Sequence, residues 1–129
     1  MTRSWSLKWP MVVVAVVFII VLTIPAKSQP QTNLLIQTCS PVNATNIQNF
    51  FTNLNDTFID IRRQLSNNNT YFATSELTRF SQPVYVLAQC RKYMSTTDCL
   101  ACFDFAASSI RSCGALNGAR SVLDGCFLR

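Results

Sequence analysis

The six cysteines are the residues whose type and spacing point most directly to chemistry in this 129-residue chain. The Cys99-x-x-Cys102 pair alone would fit half of a zinc site or a redox dithiol, but the chain has no histidine and no second close pair to complete a zinc site. We therefore predict structural disulfides, no metal site and no cofactor, while the spacing alone leaves the pairing open. The six are Cys39, Cys90, Cys99, Cys102, Cys113 and Cys126.

Hydrolysis is the other chemistry that the side chains could support. Ser-His-Asp and Cys-His catalysis are excluded because the chain contains no histidine. Paired carboxylates can hydrolyse glycosides, but Asp56 and Asp60 lie four residues apart on the polar side of a predicted helix, and Asp98 fits a helix cap. Cysteines joined in disulfides cannot act as nucleophiles. The sequence thus predicts a protein that is not an enzyme.

The first 28 residues have the pattern of a secretory signal peptide. Arg3 and Lys8 precede an apolar run over residues 11–24, which is the order of an n-region and an h-region. A helix of that length would span about 21 Å, short of the roughly 30 Å core of a bilayer. Small residues at positions −3 and −1 predict cleavage before Gln29. We expect a secreted, extracellular protein, with an uncleaved signal anchor as the alternative.

The charge of the chain after the leader is nearly balanced. The whole chain carries 11 basic and 6 acidic residues, and three of the basic ones lie in the leader. The remaining net charge of +2 is too small to predict a nucleic-acid partner. The apolar content of 49% also excludes a disordered chain.

Three N-x-[ST] sequons begin at Asn43, Asn55 and Asn68. Each match alone occurs often by chance, because the motif is short. Three matches behind a secretory leader predict at least one N-linked glycan.

Two segments have the pattern of helices. In residues 46–65, apolar side chains recur every three or four positions, which places them on one side of a helix. The second helix begins at the capping sequence Ser95-Thr96-Thr97-Asp98 and runs to about Cys113, with Gly114 as its stop. The apolar stripe of the first helix consists of Phe51, Leu54, Phe58, Ile61 and Leu65. Its polar side consists largely of Asn53, Asp56, Asp60, Arg63 and Gln64.

Residues that favour extended structure predict several short strands elsewhere. The second of them, residues 71–80, fits an irregular crossing equally well. Helices and strands do not alternate, so we predict an α+β fold in which two helices pack on one face of an antiparallel β-sheet. Residues 29–129 would form this single domain. The predicted strands are residues 34–39, 71–80, 83–90 and 119–128, the last with an irregularity near Gly125.

Several segments together resemble a known family. They are Cys90-x8-Cys99-x2-Cys102, VYVLAQC at Val84–Cys90, DCLAC at Asp98–Cys102, GAR at Gly118–Arg120 and CFLR at Cys126–Arg129. This pattern resembles the plant cysteine-rich domain known as the DUF26, stress-antifungal or Gnk2-homologous domain. The likeness extends over roughly residues 33–129, and six cysteines at matching places make it specific.

The resemblance implies the same α+β fold that the periodicity predicts, and it also implies a disulfide pairing. Cys99 and Cys102 are three residues apart on one predicted helix, and bridges outward from each would tie this helix to the strands before and after it. The implied pairs are Cys39–Cys113, Cys90–Cys99 and Cys102–Cys126.

The resemblance further implies a candidate sugar site. Members with a single such domain look like ginkbilobin-type secreted proteins, which bind mannose and inhibit fungal growth. Their site uses an asparagine directly after the first cysteine, the arginine of the GAR element and an acid just beyond the last cysteine. Arg120 matches the arginine, and Ser40 stands in place of the asparagine. The acid would lie beyond Arg129, so we expect the C-terminal strand to be truncated.

Two functions are consistent with the resemblance. The first is a secreted, non-enzymatic binding protein of plant defence or stress type, located in the apoplast, with mannose or a cell-wall glycan as its ligand. The alternative is a protein-interaction module without sugar binding, related to the ectodomains of cysteine-rich receptor-like kinases, or a truncated relic of one. Neither function calls for nucleic acid or for stable membrane insertion, and the oligomeric state stays open.

Overall fold

The computed structural model describes residues 8–23, 31–67 and 69–129. The predicted cleavage site before Gln29 and the sequon at Asn68 lie outside these residues. The helices are α1 (Lys8–Thr23), α2 (Ile47–Leu65) and α3 (Thr96–Ile110). The strands are β1 (Leu34–Cys39), β2 (Phe72–Leu77), β3 (Val84–Cys90), β4 (Ala119–Leu123) and β5 (Cys126–Leu128).

Helix α1 comes from the apolar run of the predicted leader and adds one helix to the two expected for the domain. It has 16 residues, and its large apolar side chains are exposed. No helix in the described ranges is long and apolar enough to cross a membrane.

The five strands form one sheet in the order β1-β4-β5-β3-β2, and every neighbouring pair is antiparallel. Helix α2 packs on β2 and β3, whereas α3 packs on β4 and β5. The predicted α+β architecture is therefore confirmed. The uncertain segment 71–80 contains strand β2, and a single 3-10 turn, Arg79–Ser81, follows it.

The C-terminal segment forms a hairpin, so the prediction of one strand over residues 119–128 is wrong. Val122 of β4 pairs with Phe127 of β5, and Asp124 and Gly125 form the turn between the strands. A Cβ at Gly125 would lie 2.8 Å from the carbonyl oxygen of Gln31. Glycine is required there because the N-terminal chain passes directly over the turn. The Asp-Gly pair between two apolar runs is the local sequence signal for this hairpin.

Helix α2 is amphipathic as predicted, with one exception on its polar side. Asn46 caps the helix, because its Oδ1 accepts a hydrogen bond from the Asn49 amide at 3.0 Å. Asn53 was expected on the polar side and is instead fully buried. Its Nδ2 donates to the carbonyl oxygens of Arg79 at 2.9 Å and Gln82 at 2.7 Å. These two carbonyls lie in the turn that crosses α2, and buried carbonyls require donors.

Helix α3 starts where the capping sequence predicts and ends three residues early. The Ser95 hydroxyl accepts a hydrogen bond from the Asp98 amide at 3.1 Å. After Ile110 the chain tightens into a 3-10 turn over Arg111–Cys113, and Gly114 then takes a φ of +61°. Glycine adopts this left-handed region without the steric cost that other residues have, so it terminates the helix.

Three disulfides join the helices to the sheet, and their pairing is the one that the resemblance implies. Cys90–Cys99 and Cys102–Cys126 attach α3 to β3 and to β5. Cys39–Cys113 attaches the end of β1 to the turn after α3. The first two bridges are buried in the core, where they fix the helix against the sheet.

Candidate functional site

The outer face of the sheet, opposite the two helices, carries a row of side chains that crosses all five strands. The register pairs Ile36 with Val122, Val122 with Phe127, Phe127 with Gln89, and Gln89 with Phe72. Residues in register share one face of an antiparallel sheet. At the two edges, Ile36 is 48% and Phe72 is 53% exposed. We call the surface formed by these five residues the outer face.

Arg120 lies beside this row, on the same face. It pairs with Thr38 of β1 and is exposed. Within the described ranges, its guanidinium takes part in none of the three ion pairs. A guanidinium with all its N–H groups free is a donor for carboxylates, hydroxyls or carbonyl oxygens of a ligand.

Ser40, the second residue of the implied sugar site, lies next to the GAR segment. Its amide donates to the carbonyl oxygen of Gly118 at 2.7 Å, just beyond the pairing of β1 with β4. Its hydroxyl accepts from the Val42 amide at 3.2 Å and is 2.6 Å from Oδ1 of Asn117, to which it donates. The structure therefore brings Ser40 near Arg120, but the Ser40 hydroxyl is already bonded to its own loop at Val42 and to Asn117 in the segment before β4.

The two described sequons lie in different settings. Asn43 is exposed and forms an isolated bridge with Leu116. Asn55 is exposed on α2 and accepts a hydrogen bond from Nη2 of Arg111 at 2.7 Å. Thr57, which completes the second sequon, is fully buried and donates to the carbonyl oxygen of Asn53 at 2.6 Å. The folded domain thus presents the Asn43 sequon more openly than the Asn55 sequon.

Three of the six carboxylates, those of Asp56, Asp60 and Asp104, form ion pairs with arginines in the described residues. Asp104 accepts from Arg62 at 3.1 Å, which links α3 to α2. The pKa of Asp60 is lowered because its carboxylate accepts hydrogen bonds from Ser75 and Gln64 and pairs with Arg63, although burial opposes the shift. In the part of the chain that the structure describes, no group of histidine, cysteine and acidic residues could hold a metal ion.

The outer face was not predicted, although the sequence contains its signal. Strands β2 and β3 alternate between buried and exposed residues along their length. This alternation predicts one face toward the helices and one face open. The sequence does not predict which residues of the five strands form the row, because the register between segments that are distant in sequence is set by tertiary structure.

A small α+β domain fixed by three disulfides, with one face of its sheet open, is a class of fold typical of secreted and extracellular modules. The family model for salt stress response/antifungal proteins matches residues 38–129. The chain belongs to this family, which confirms the resemblance.

The curated relatives are named as receptor-like kinases and as a secretory protein. Cysteine-rich receptor-like protein kinase 42 of Arabidopsis thaliana is 41% identical over 58 residues, which are 45% of this chain and 9% of the kinase. Cysteine-rich repeat secretory protein 55 of the same plant is 44% identical over 57 residues, which are 43% of this chain and 22% of that protein. The chain thus spans less than a quarter of either relative.

Two solved structures share the fold. The tandem DUF26 ectodomain of the Arabidopsis thaliana cysteine-rich receptor-like protein PDLP8 matches with a TM-score of 0.66 and 25% identity, over 78% of this chain and 44% of that chain. The corresponding ectodomain of PDLP5 matches with a TM-score of 0.67 and 22% identity, over 75% and 48%. The chain corresponds to less than half of each tandem ectodomain.

Proposed function

We propose that this chain is a secreted, non-enzymatic interaction module of plant stress or defence type, which binds an extracellular protein through the outer face of its sheet. The observation that carries this proposal is the row from Ile36 to Phe72, which leaves apolar side chains open to solvent on a rigid, disulfide-linked domain. Exposed apolar patches next to polar groups are typical of protein-binding surfaces. The kinship with receptor-like kinases and with tandem ectodomains supports a partner of that kind.

The same proposal includes the route by which the protein reaches its partner. Residues 1–28 act as a signal peptide, and residues 29–129 enter the apoplast as one domain. Glycans at Asn43 and Asn55 would lie off the outer face, because neither residue belongs to a strand of the sheet.

The first prediction concerns binding to a receptor ectodomain. We expect the secreted, oxidised protein to bind the immobilised ectodomain of cysteine-rich receptor-like protein kinase 42, measured by surface plasmon resonance. Phe72→Asp should weaken this binding roughly tenfold or more, because a charge at an apolar contact residue costs at least about 1.4 kcal/mol. Ile59→Asp is the matched control, since Ile59 is 66% exposed on α2, away from the outer face. Equal effects of the two variants, or no binding by the wild type, would contradict the proposal.

Carbohydrate binding is the second candidate function, and the free guanidinium of Arg120 is the observation that favours it. An arginine can donate two hydrogen bonds to the neighbouring hydroxyls of a hexose. Antifungal activity would be a consequence of such binding at a fungal cell wall.

The second prediction separates this candidate from the first. If the sugar site works, titration calorimetry with mannose should give heat of binding that Arg120→Ala abolishes and Arg63→Ala retains. Arg63 is a suitable control because it is exposed on α2 and lies far from the outer face. A folded wild-type protein that gives no heat with mannose would remove the sugar candidate.

A further inference from the structure

Strand β1 is one of the two edge strands of the sheet, so one side of its backbone has no strand beside it. The Ser40 amide donates to the carbonyl oxygen of Gly118 on the β4 side. Backbone groups alternate in direction along an antiparallel strand, so Cys39 and Gln37 direct their N–H and C=O groups away from β4. No described residue forms a hydrogen bond with these groups. We call this side of β1 the free edge.

Exposed apolar side chains accompany the free edge. Leu34, Leu35 and Ile36 are 45%, 60% and 48% exposed. Ile36 pairs with Val122 and therefore lies on the outer face. Apolar surface beside unpaired backbone groups favours pairing with another strand over exposure to water.

Helix α3 adds an aromatic ring to this surface. The carbonyl oxygen of Gln31 is 3.3 Å from Sγ of Cys102, and Nε2 of Gln37 donates to the carbonyl oxygen of Ser109 at 3.0 Å. Phe105 shares this stripe of α3 with Cys102 and Ser109, because the three residues are spaced three and four positions apart. Phe105 therefore lies beside β1, and it is 46% exposed. The bond from Gln37 also fixes β1 against the helix, so the free edge is already ordered for binding.

Strand β2, the other edge strand, is protected against such pairing. The Tyr71 carbonyl accepts from the Cys90 amide on the β3 side, so the Thr74 carbonyl points to the open side. There it accepts a hydrogen bond from Nε2 of Gln64 at 2.8 Å, and Glu76 adds an exposed charge to the same strand. Covered backbone groups and charged side chains prevent edge-to-edge association. Strand β1, with the sequence LLIQTC, has no charged residue.

This lack of charge favours a second copy of the chain as the occupant of the free edge. No charged residue lies between Lys27 and Asp56 in the sequence, and Arg120, which pairs with β1, lies one strand further in. Around a two-fold axis the same surface meets itself, so a charged edge would repel its copy, whereas an uncharged apolar edge would not. A different partner selected by its charge would find no opposite charge on β1.

We infer that the free edge of β1 pairs with β1 of a second copy, antiparallel and around a two-fold axis. The backbone groups of Gln37 and Cys39 then bond to the copy, and the two sheets become one continuous sheet. Ile36 and its copy come within reach of each other on the outer side of the seam, and Phe105 borders the seam on the helix side. The dimer does not depend on the proposed function, although it places two outer faces side by side.

The third prediction concerns the mass of the secreted, oxidised chain in solution. Sedimentation velocity over a roughly hundredfold range of concentration should show monomers that convert to dimers as the concentration rises. Over the same range, hydrogen exchange of the ¹⁵N-labelled chain, followed by NMR, should slow about threefold or more at the amides of Gln37 and Cys39. The Glu76 amide, on the open side of β2, is the control and should not change.

Charges at position 36 test the contact between the two copies. Ile36→Lys and Ile36→Glu should each raise the dissociation constant of the dimer at least about tenfold, because like charges meet across the axis. An equal mixture of the two variants should dimerise again, which misfolded variants could not do. Phe72→Lys is the matched control, since Phe72 is 53% exposed at the opposite edge of the sheet, and this variant should dimerise like the wild type.

Three results would overturn the inference. The first is a chain that stays monomeric over the whole range of concentration. The second is slow exchange at Gln37 and Cys39 in a monomer, because another segment of the same chain would then cover the free edge. The third is a dimer that Phe72→Lys disrupts and Ile36→Lys does not, because the contact would then lie elsewhere.

Discussion

Replacement of Cys102 by serine is expected to lower the free energy of unfolding by about 2–5 kcal/mol or to prevent secretion. The Cys102–Cys126 bridge closes a loop of 24 residues in sequence separation, and the chain-entropy model assigns about 3.5 kcal/mol to a loop of that size. The site adds a second cost, because Cys102 is fully buried. A serine hydroxyl there would lose its hydration in a core position.

The measurement is urea unfolding of the oxidised proteins, together with the secreted yield. The double variant Cys102→Ala and Cys126→Ala is the control, because it removes the bridge without a free thiol or a buried hydroxyl. The double variant should still show the part of the decrease in unfolding free energy that comes from the missing loop closure. A Cys102→Ser protein that is secreted and unfolds like the wild type would contradict the role of this bridge.

The elements that local patterns encode were predicted well. Helix α2 follows from a stripe that includes Phe58 and Ile61, and the start of α3 follows from the Ser95 cap. The hairpin over Asp124 and Gly125 was predicted as one strand, although its turn signal is local, because apolar residues lie on both sides of the Asp-Gly pair.

The features that depend on residues distant in sequence could not be predicted from the sequence. The burial of Asn53 depends on the turn at Arg79, 26 residues away. The engagement of the Ser40 hydroxyl depends on Asn117, which lies 77 residues along the chain. Family resemblance supplied the candidates Arg120 and Ser40, and the structure placed them near each other. Only the tertiary contacts show that the Ser40 hydroxyl is already bonded, whereas Arg120 forms no ion pair in the described part of the chain.

Replacement of Asn53 by aspartate is expected to destabilise the domain by about 3 kcal/mol or more at pH 7, with almost no change in shape. The Nδ2 group of Asn53 is the buried donor for the carbonyls of Arg79 and Gln82. An ionised carboxylate cannot donate, so the Gln82 carbonyl loses its donor, at about 1–3 kcal/mol, while the Arg79 carbonyl keeps only the Gln82 amide at 3.2 Å. The change also places a buried charge against both carbonyl oxygens. The Oδ1 atom of Asn53 has no partner in the described ranges, so no accepted hydrogen bond is lost.

The pH dependence distinguishes this mechanism from a simple packing defect. Burial against two carbonyl oxygens favours the protonated carboxyl, so the pKa of the introduced aspartate is higher in the folded than in the unfolded chain. The folded state then binds more protons, and the free energy of unfolding of the aspartate variant falls as pH rises from about 4, relative to wild type.

Two control variants separate the charge from other effects. Asn53→Leu should lose stability without the added pH dependence. Asn55→Asp is exposed on the same helix beside Arg111 and should stay within about 0.5 kcal/mol of wild type. Urea unfolding between pH 4 and pH 8 measures all three variants. Parallel curves of unfolding free energy against pH for Asn53→Asp and Asn53→Leu would contradict the buried charge, and an Asn53→Leu protein as stable as wild type would contradict the role of the donor.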